Sequence, residues 1–517
     1  MRRQNVQLIA LARQGDPIAR CEVGRRYLLG ADGFPRHVQT GIDYLTHASL
    51  HKNTQAARIV GESLPLQDIV HLNLVALLAQ AAATDSVVSK VKHAVWLLAT
   101  NGDEEAAIKH FAAAATAGHL GAKRTLHALQ GKAERHTSLH VALRALASST
   151  EMDVAEVAVI GARAALEASD LDRLLNALDA AFALRPAPAV DLDELVVQAA
   201  RLAESRQRAV KPLSPRQLED SLDRRAHQGD SWAAYALGRA LCGIRCGAIA
   251  PSDLTTTTAV RRGTALLFRA ADAGWTEAWL HLYRLHADQK SSVANSQMAR
   301  FCLEKAASLG QRQAQTKLGA LMLRSAGSLS ESEQAIDWLH KASTQGDEHA
   351  VDLLRSLLLP VAGSDADARA AIEQVRRDYP WLAMRMQLAR DFGLTKLEAL
   401  CVDPIDGMRP WGLVVGKNPF VVQSRLSAPR AIPALTPAAL DNLRRTAMVF
   451  SELGRDGHAL EGDARRRSLV QRRAFERLGL DEALFFAKAR TKVLDTLRQG
   501  SRWAFRAKTQ LRLALAA

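Results

Sequence analysis

Aromatic residues are scarce in this 517-residue chain: Phe, Trp and Tyr make up 5%, although hydrophobic residues reach 48%. The apolar half is therefore mostly Ala, Leu and Val, which disfavours aromatic-rich sheets and favours helices packed through small side chains. An all-α protein is expected. Cysteine is scarce too. Cys21, Cys242, Cys246, Cys302 and Cys401 are odd in number and scattered, which argues against a disulfide framework and suits free thiols in a reducing compartment. Long hydrophobic runs are missing as well. The longest uncharged stretch, IVHLNLVALLAQAAAT at residues 69–84, has 16 residues, short of the roughly 18 to 20 that span a bilayer. The opening MRRQNVQLIALARQGDP has an apolar stretch cut short by Arg13, too short for a secretory signal. The expectation is a soluble, cytoplasmic protein without a transmembrane segment.

What the chain does have is a schedule of small residues. Gly274, Gly310 and Gly346 stand 36 residues apart. Ala270-Ala271, Ala306-Ala307 and Ala342-Ser343 precede them, Ala278, Ala314 and Ala350 follow four positions later, and Leu282, Leu318 and Leu354 four later still. A fixed period of this size marks a solenoid of stacked supersecondary units. Ala335, Trp338 and Ala342, at i, i+3 and i+7, share one helix face. The physical reading is two antiparallel helices per repeat, with the glycine just past the end of one, where left-handed backbone costs no Cβ clash. Asp16, Asp230 and Asp347, each after a glycine, are expected to cap the next helix, and Pro17 follows Asp16 at a position that tolerates a missing N–H.

The same schedule recurs at Ala226, Gly229, Ala233 and Leu237-Gly238, more loosely at Ala12, Gly15, Ala19, Gly24, Tyr27 and Gly30, and again at Ala107, Ala114-Ala115, Gly118, Ala122 and Leu126. These segments resemble the Sel-one-like repeat family, a branch of the tetratricopeptide-like superhelical repeats. The resemblance covers residues 216–357 and, more loosely, 10–61 and 94–131, under half of the chain. It implies a curved, non-catalytic platform that assembles other proteins. Three departures stand out: Lys52 occupies a glycine position, the spacing from Gly229 to Gly274 is 45 residues, and CGIRCGAIAPSDLTTTTAV enlarges one loop.

Between about 132 and 211 the schedule disappears, although ARAALEASDLDRLLNALDAAFALRP keeps helical periodicity, and KPLSPRQ then reads as a hinge or capping loop. After Pro360 the repeat ends. Six prolines fall between Cys401 and Pro437, excluding a continuous helix there. RPWGLVVGKNPFVVQSRL reads as two apolar runs around a Gly-Lys-Asn-Pro turn, a candidate β-hairpin. Helices resume at Thr436-Pro437, with Gly454, Gly479 and Gly500 as punctuation. The expected fold is thus an all-α, α/α superhelical solenoid of helix pairs, followed by a mostly helical, basic C-terminal domain with that short hairpin. The expected divisions are 1–131 (N-terminal degenerate repeats), 132–215 (degenerate helical segment and hinge), 216–360 (repeat array) and 361–517 (C-terminal domain).

Charge is uneven. From Arg465 onward there are 14 Lys and Arg against 4 Asp and Glu, which accounts for ten of the chain's fourteen surplus positive charges. Such a patch attracts nucleic acid, acidic protein surfaces or anionic lipid, or is simply the solvated face of amphipathic helices. Arg465, Arg466, Arg467, Arg472 and Arg473 are the candidate polyanion-binding residues.

No constellation reaches the standard for an enzyme, a cofactor or a metal. GLVVGKN has one residue too few between its glycines for a phosphate loop and Asn418 where Ser or Thr is needed. Cys242 and Cys246 lack a second pair at zinc spacing, and His136 and His140 lack both the metalloprotease glutamate and a third ligand. QLARDFGLTKLEALCV, residues 387–402, has the Ala389, Gly393 and Leu394 spacing of a helix-turn-helix, but Ala399 and Glu398 weaken its second helix. Trp232, Tyr235, Trp275, Trp279 and Tyr283 cluster around two repeat helices and are mostly packing, with one or two on the concave side expected to anchor a bound peptide, the candidates being Trp232, Tyr235, Trp275 and Trp279. The repeat-structural positions are Gly229, Gly274, Gly310, Gly346, Ala278, Ala314 and Ala350. Two functions follow: a non-enzymatic adaptor binding a protein or peptide, and, as the alternative, a nucleic-acid-associated regulator acting through residues 361–517. A membrane-surface helix in the tail is a third.

Overall fold

Twenty-nine α-helices and one three-stranded sheet are formed by the described residues, 3–100, 103–132, 136–184, 190–245, 247–416, 429–452, 461–489 and 507–516, of this computed structural model. They fall into two compact units, Met1–Ala273 and Gly274–Ala517, so the seam lies within the stretch of regular repeats.

The first unit holds seventeen helices, α1 (Arg3–Gln14) to α17 (Val260–Asp272). Gly15, Gly118 and Gly229 join successive helices with φ between +96° and +106°. A Cβ at these glycines would meet nothing within 4 Å, so backbone conformation, not space, demands glycine. Asp16 and Asp230 accept from Ala19 N and Ala233 N, capping α2 (Pro17–Leu29) and α15 (Ser231–Leu241) as expected.

Where the schedule vanishes from the sequence, the helix pairs continue. α11 (Val154–Glu167) and α12 (Leu171–Leu184) pack closely through a junction in which Ser169 takes φ +54°, and Asp170 accepts from Arg173 N at 3.1 Å. Ser-Asp stands in for Gly-Asp. Lys52, at its glycine position, takes φ +62°, and Gln207, after α13 (Val190–Ser205), takes φ +54°. The helix-pair pattern is therefore wider than the sequence resemblance, because junction geometry persists after its glycine is lost.

Helices cross through small residues. A Cβ on Gly24 of α2 would lie 3.1 Å from Gly41 O in α3 (Val38–Leu45), and one on Gly238 of α15 would lie 3.0 Å from Gly263 O in α17. Backbones that close leave no room for a larger residue.

The second unit begins with α18 (Thr276–Ala287), α19 (Ser296–Ser308), α20 (Arg312–Ser325), α21 (Leu329–Thr344) and α22 (Glu348–Arg355). Gly310 and Gly346 separate α19 from α20 and α21 from α22 with φ +85° and +79°. Ala278, Ala314 and Ala350 are fully buried, and Asp347 caps α22 through Ala350 N. Gly319 serves the α20–α21 crossing, where a Cβ would lie 2.9 Å from Ala335 O.

Beyond the repeats come α23 (Asp365–Asp378), α24 (Pro380–Phe392), α25 (Lys396–Cys401), α26 (Pro404–Gly407), β1 (Met408–Arg409), β2 (Gly412–Val415), β3 (Arg430–Pro433), α27 (Pro437–Glu452), α28 (Ala464–Leu478) and α29 (Lys508–Ala516). The sheet is antiparallel in the order β1-β2-β3, with Leu413 opposite Ile432. The first run of the expected hairpin is β2. Its second run, together with Lys417 and Asn418, lies outside the described residues, and β2 pairs instead with β1 and β3. Gly454 and Gly500 also lie outside them, whereas Gly479 ends α28 in left-handed backbone.

The apolar run of β2 serves two cores. Leu413 and Val415, with Ile432, join a core made with α23, α24, α27 and α28, whereas Val414 and Ala431 join one made with α20, α21, α22 and α29. Alternate residues of a strand point to opposite faces, so burial on both faces calls for an unbroken apolar run. β3 packs on α21, α29 packs on α20 and α22, and Arg409 Nε donates to Glu333 Oε2 at 3.0 Å. The C-terminal region thus closes the last repeats with a sheet and a helix instead of another repeat.

Candidate binding surfaces

A wide concavity lies in the second unit. The C-terminal ends of α18 and α20 and the N-terminal starts of α19 and α21 enclose a groove of about 810 Å³. Tyr283, Asn295, Arg300, Leu321, Arg324 and Glu331 are among its walls. Asn295 caps α19 by accepting from Gln297 N and Met298 N, and Glu331 accepts from Gly327 N at 2.7 Å. Arg324, exposed in the last turn of α20, has no carboxylate partner among the described residues.

Beside the groove-lining Tyr283 lies a buried cation. Lys317 is only 5% exposed, its Nζ sits 5.8 Å from the centroid of the Tyr283 ring, and no described carboxylate pairs with it. Burial, reinforced by nearby Arg284, lowers the Lys317 pKa, and burial raises that of Tyr283. Charge without a counterion in a low-dielectric setting is destabilising.

The aromatics singled out in the sequence are placed differently. Trp232 and Tyr235 are buried in α15: Trp232 Nε1 donates to Glu204 Oε2 at 3.1 Å, with the Arg201 guanidinium 5.3 Å above its ring, and Arg239 lies 5.0 Å above Tyr235. Trp279 is buried edge-on against Phe301 at 5.9 Å. Trp275 is half-buried just before α18. Three of these aromatics are therefore packing residues, whereas Tyr283 lines the groove. The sequence carries a signal for the buried Lys317 next to it, a lysine between Ala314 and Leu318 on a buried helix face.

The second surface centres on the basic helix α28. Arg465, Arg466, Arg472 and Arg473 are exposed, but Arg467 is 6% exposed and structural. Its Nη1 donates to Leu400 O at 2.9 Å and its guanidinium lies 3.6 Å from Glu461, which also receives both ends of the buried Arg385 fork. Arg467 thus leaves the polyanion-binding set, because helix periodicity turns it, with Gln471 and Ala474, toward the core. Five of the tail's fourteen basic residues, Arg490, Lys492, Arg498, Arg502 and Arg506, lie outside the described residues.

The helix-turn-helix reading fails on geometry. Gly393 does end α24 with φ +56°, but α25 has six residues and turns Glu398 inward, where it accepts from Arg430 Nε at 2.8 Å. Glu398 and Arg430 are both nearly inaccessible. Burial pushes the Glu398 pKa up, but the bonds from Arg430 and Thr395 outweigh it and hold it below the ordinary range. Such a helix is too short, and too committed to the core, to read a groove.

The remaining candidates are inert in place. Cys242 is a free thiol whose pKa burial pushes up to about 11, with no thiolate character at neutral pH; Cys246 lies outside the described residues. His136 and His140 stack at 4.6 Å, with His140 Nδ1 3.7 Å from Asp179. Among the described residues no group of three or more His, Cys, Asp or Glu is placed to hold a metal ion, and no helix is long and apolar enough to cross a membrane.

The fold and surfaces define a helical-repeat protein with a non-repeat C-terminal closure. No family model matches the chain, and no curated protein matches it. Among solved structures it is similar to a protective antigen of uropathogenic Escherichia coli strains displaying an SLR fold, at 17% identity and a TM-score of 0.26, over 99% of this chain and 96% of that one. It is also similar to a Sel-one repeat protein from Oxalobacter formigenes, at 19% identity and a TM-score of 0.25, over 65% of this chain and 93% of that one. Superpositions this low carry no weight; the helix-pair fold stands on the junctions, caps and crossings described above.

Proposed function

We propose that this chain is a non-enzymatic, cytoplasmic scaffold of the Sel-one-like kind, which binds a segment of another protein in the groove between α18, α19, α20 and α21. The reading is organised on the four expected divisions, with 216–360 as the binding array. The groove itself carries the reading: about 810 Å³ spanning successive helix pairs, with mixed polar and apolar walls that include the exposed Arg324. Clefts of that size, with a few placed polar groups, suit a protein segment with an acidic group. The test is a photo-crosslinking amino acid at Leu321 in the full chain, expressed in its native cells. A protein adduct is expected, and it should disappear with Arg324→Glu. The reading fails if adduct formation at Leu321 matches that at an exposed control position such as Glu304.

A second reading, nucleic-acid binding through residues 361–517, draws on the exposure of Arg465, Arg466, Arg472 and Arg473. It predicts affinity for DNA or RNA that falls steeply as salt rises, because neutralised phosphates release counterions. No binding at low salt eliminates it.

A further inference from the structure

We propose that a second groove, between α25 and α28, is a docking site for an acidic amphipathic helix of a partner protein. The groove measures about 550 Å³ and is lined by only eight residues, of which Lys396, Arg465 and Arg472 are cationic and none is acidic. Its walls are two helices. From α28 come Arg465, Leu469 and Arg472, spaced i, i+4 and i+7, a stripe about 10 Å long at 1.5 Å per residue. From α25 come Lys396, Leu397 and Leu400.

The chemistry of this lining selects the occupant. Its accessible apolar part is Leu469, 37% exposed, and the half-buried Leu397, over a floor of buried Leu400 and Ala464. A partner must cover that part while setting carboxylates against the cations. Arg465 has no carboxylate partner among the described residues, Arg472 is 3.7 Å from Glu476 with both side chains exposed, and Lys396 is shared with Glu482. A helix with Leu or Ile along one stripe and Glu or Asp beside it, three and four residues apart, meets both demands. Nucleic acid meets only one. Phosphates would satisfy the cations, but no aromatic side chain lines the groove for bases to stack on, and Leu469 would face a polyanionic backbone. The same arginines nominated for a polyanion thus stand around a leucine that a polyanion leaves bare.

Phage-displayed helical peptides selected against the full-length protein test this directly. The selected peptides should be acidic and amphipathic. Their affinity should drop about tenfold or more with Arg465→Glu/Arg472→Glu, and similarly with Leu469→Asp, while far-ultraviolet circular dichroism and the melting temperature stay unchanged. Both side chains in the double variant are exposed, and Leu469→Ser serves as a second apolar-loss variant should Leu469→Asp misfold. The proposal is overturned if the peptides lack acidic residues, or bind Leu469→Asp and Leu469→Ser as tightly as the parent. It is equally overturned if a DNA duplex of about 20 base pairs or phosphatidylglycerol vesicles bind this surface with sensitivity to the arginines but not to Leu469. Failure to recover any groove-dependent peptide also ends it. None of these outcomes touches the groove of the repeats, which has its own crosslinking test.

Discussion

Two regions of the second unit are held together by opposite means. In the repeats, cohesion is local and apolar: Ala314 and Ala350 disappear into helix contacts, Gly319 lets α20 meet α21 backbone to backbone, and each junction is closed by neighbours in sequence. In the C-terminal region, buried charges join residues far apart in the chain. Arg385 reaches Glu461 across 76 positions, Arg467 reaches Leu400 O across 67, and Arg430 meets Glu398 across 32. The junctions between repeat helices tolerate drift one position at a time, as Lys52 and Ser169 do in left-handed backbone. A buried ion pair does not, because removing one partner strands the other.

The sharpest break of this contrast is Glu398→Ala. It leaves Arg430 charged and buried without its carboxylate, and the C-terminal region should lose about 3 to 5 kcal/mol in urea denaturation. Replacing both partners by apolar residues should recover most of that loss; if the single variant melts like the parent, the pair is not what holds this region. In the repeats the matching experiment is Ala314→Leu, which forces three extra carbons into a fully buried contact. A loss of roughly 1 to 3 kcal/mol is expected, and an unchanged denaturation midpoint would remove Ala314 from the helix crossing.

Much of this difference was legible in the sequence, and the illegible part has a physical cause. The glycine schedule and the aspartates that follow it announced the helix pairs because both belong to local backbone geometry. The stretch around Ser169 was opaque because a left-handed junction can be built without glycine at modest cost, so the signal faded while the turn stayed. The β2 run was visible as apolar, but not its pairing with Arg430–Pro433, since strand partners are chosen by non-local contacts. The fate of the arginines was least legible. Arg467 and Arg472 differ only in which way α28 turns them, and that depends on where α24 and α25 place Leu400 and Glu461.

A smaller effect sharpens the point about junctions. Lys52→Gly and Ser169→Gly relieve left-handed strain and should each stabilise the first unit by roughly 0.5 to 1 kcal/mol, whereas Gly310→Ala should destabilise the second by a similar amount. Equal denaturation midpoints for all three would mean that the junction backbone is indifferent to residue type.

Acid should separate the regions as well. Burial, with His110 nearby, lowers the His93 pKa from 6.5 to about 4, and burial also lowers those of His110, His140 and His340, all within helix pairs. The unfolded chain then takes up protons that the native state refuses, so this stability is complete above pH 6.5 and drains away as pH falls toward 4. Glu398, held below its ordinary range, keeps its contribution until pH drops below the usual carboxylate range. Thermal melts between pH 7 and 5 should therefore loosen helix-pair contacts before the Glu398–Arg430 pair, and His93→Gln should flatten that slope. A slope unchanged in His93→Gln would place the acid sensitivity elsewhere.

The closure of the repeats by β3 and α29 bears on how such a chain changes length over evolutionary time. A stack of near-identical helix pairs has no inherent stopping point, and duplication of a 36-residue block leaves each old contact matched by a new one. That freedom ends at α22. Trp411, Val414, Ala431 and Leu511 are fitted to the side chains of α20, α21 and α22 in one core, so a block inserted between them would face a surface shaped for something else. Growth by duplication is thereby confined to positions upstream of the last two pairs, and the C-terminal region acts as a fixed reference from which the repeats are counted backward.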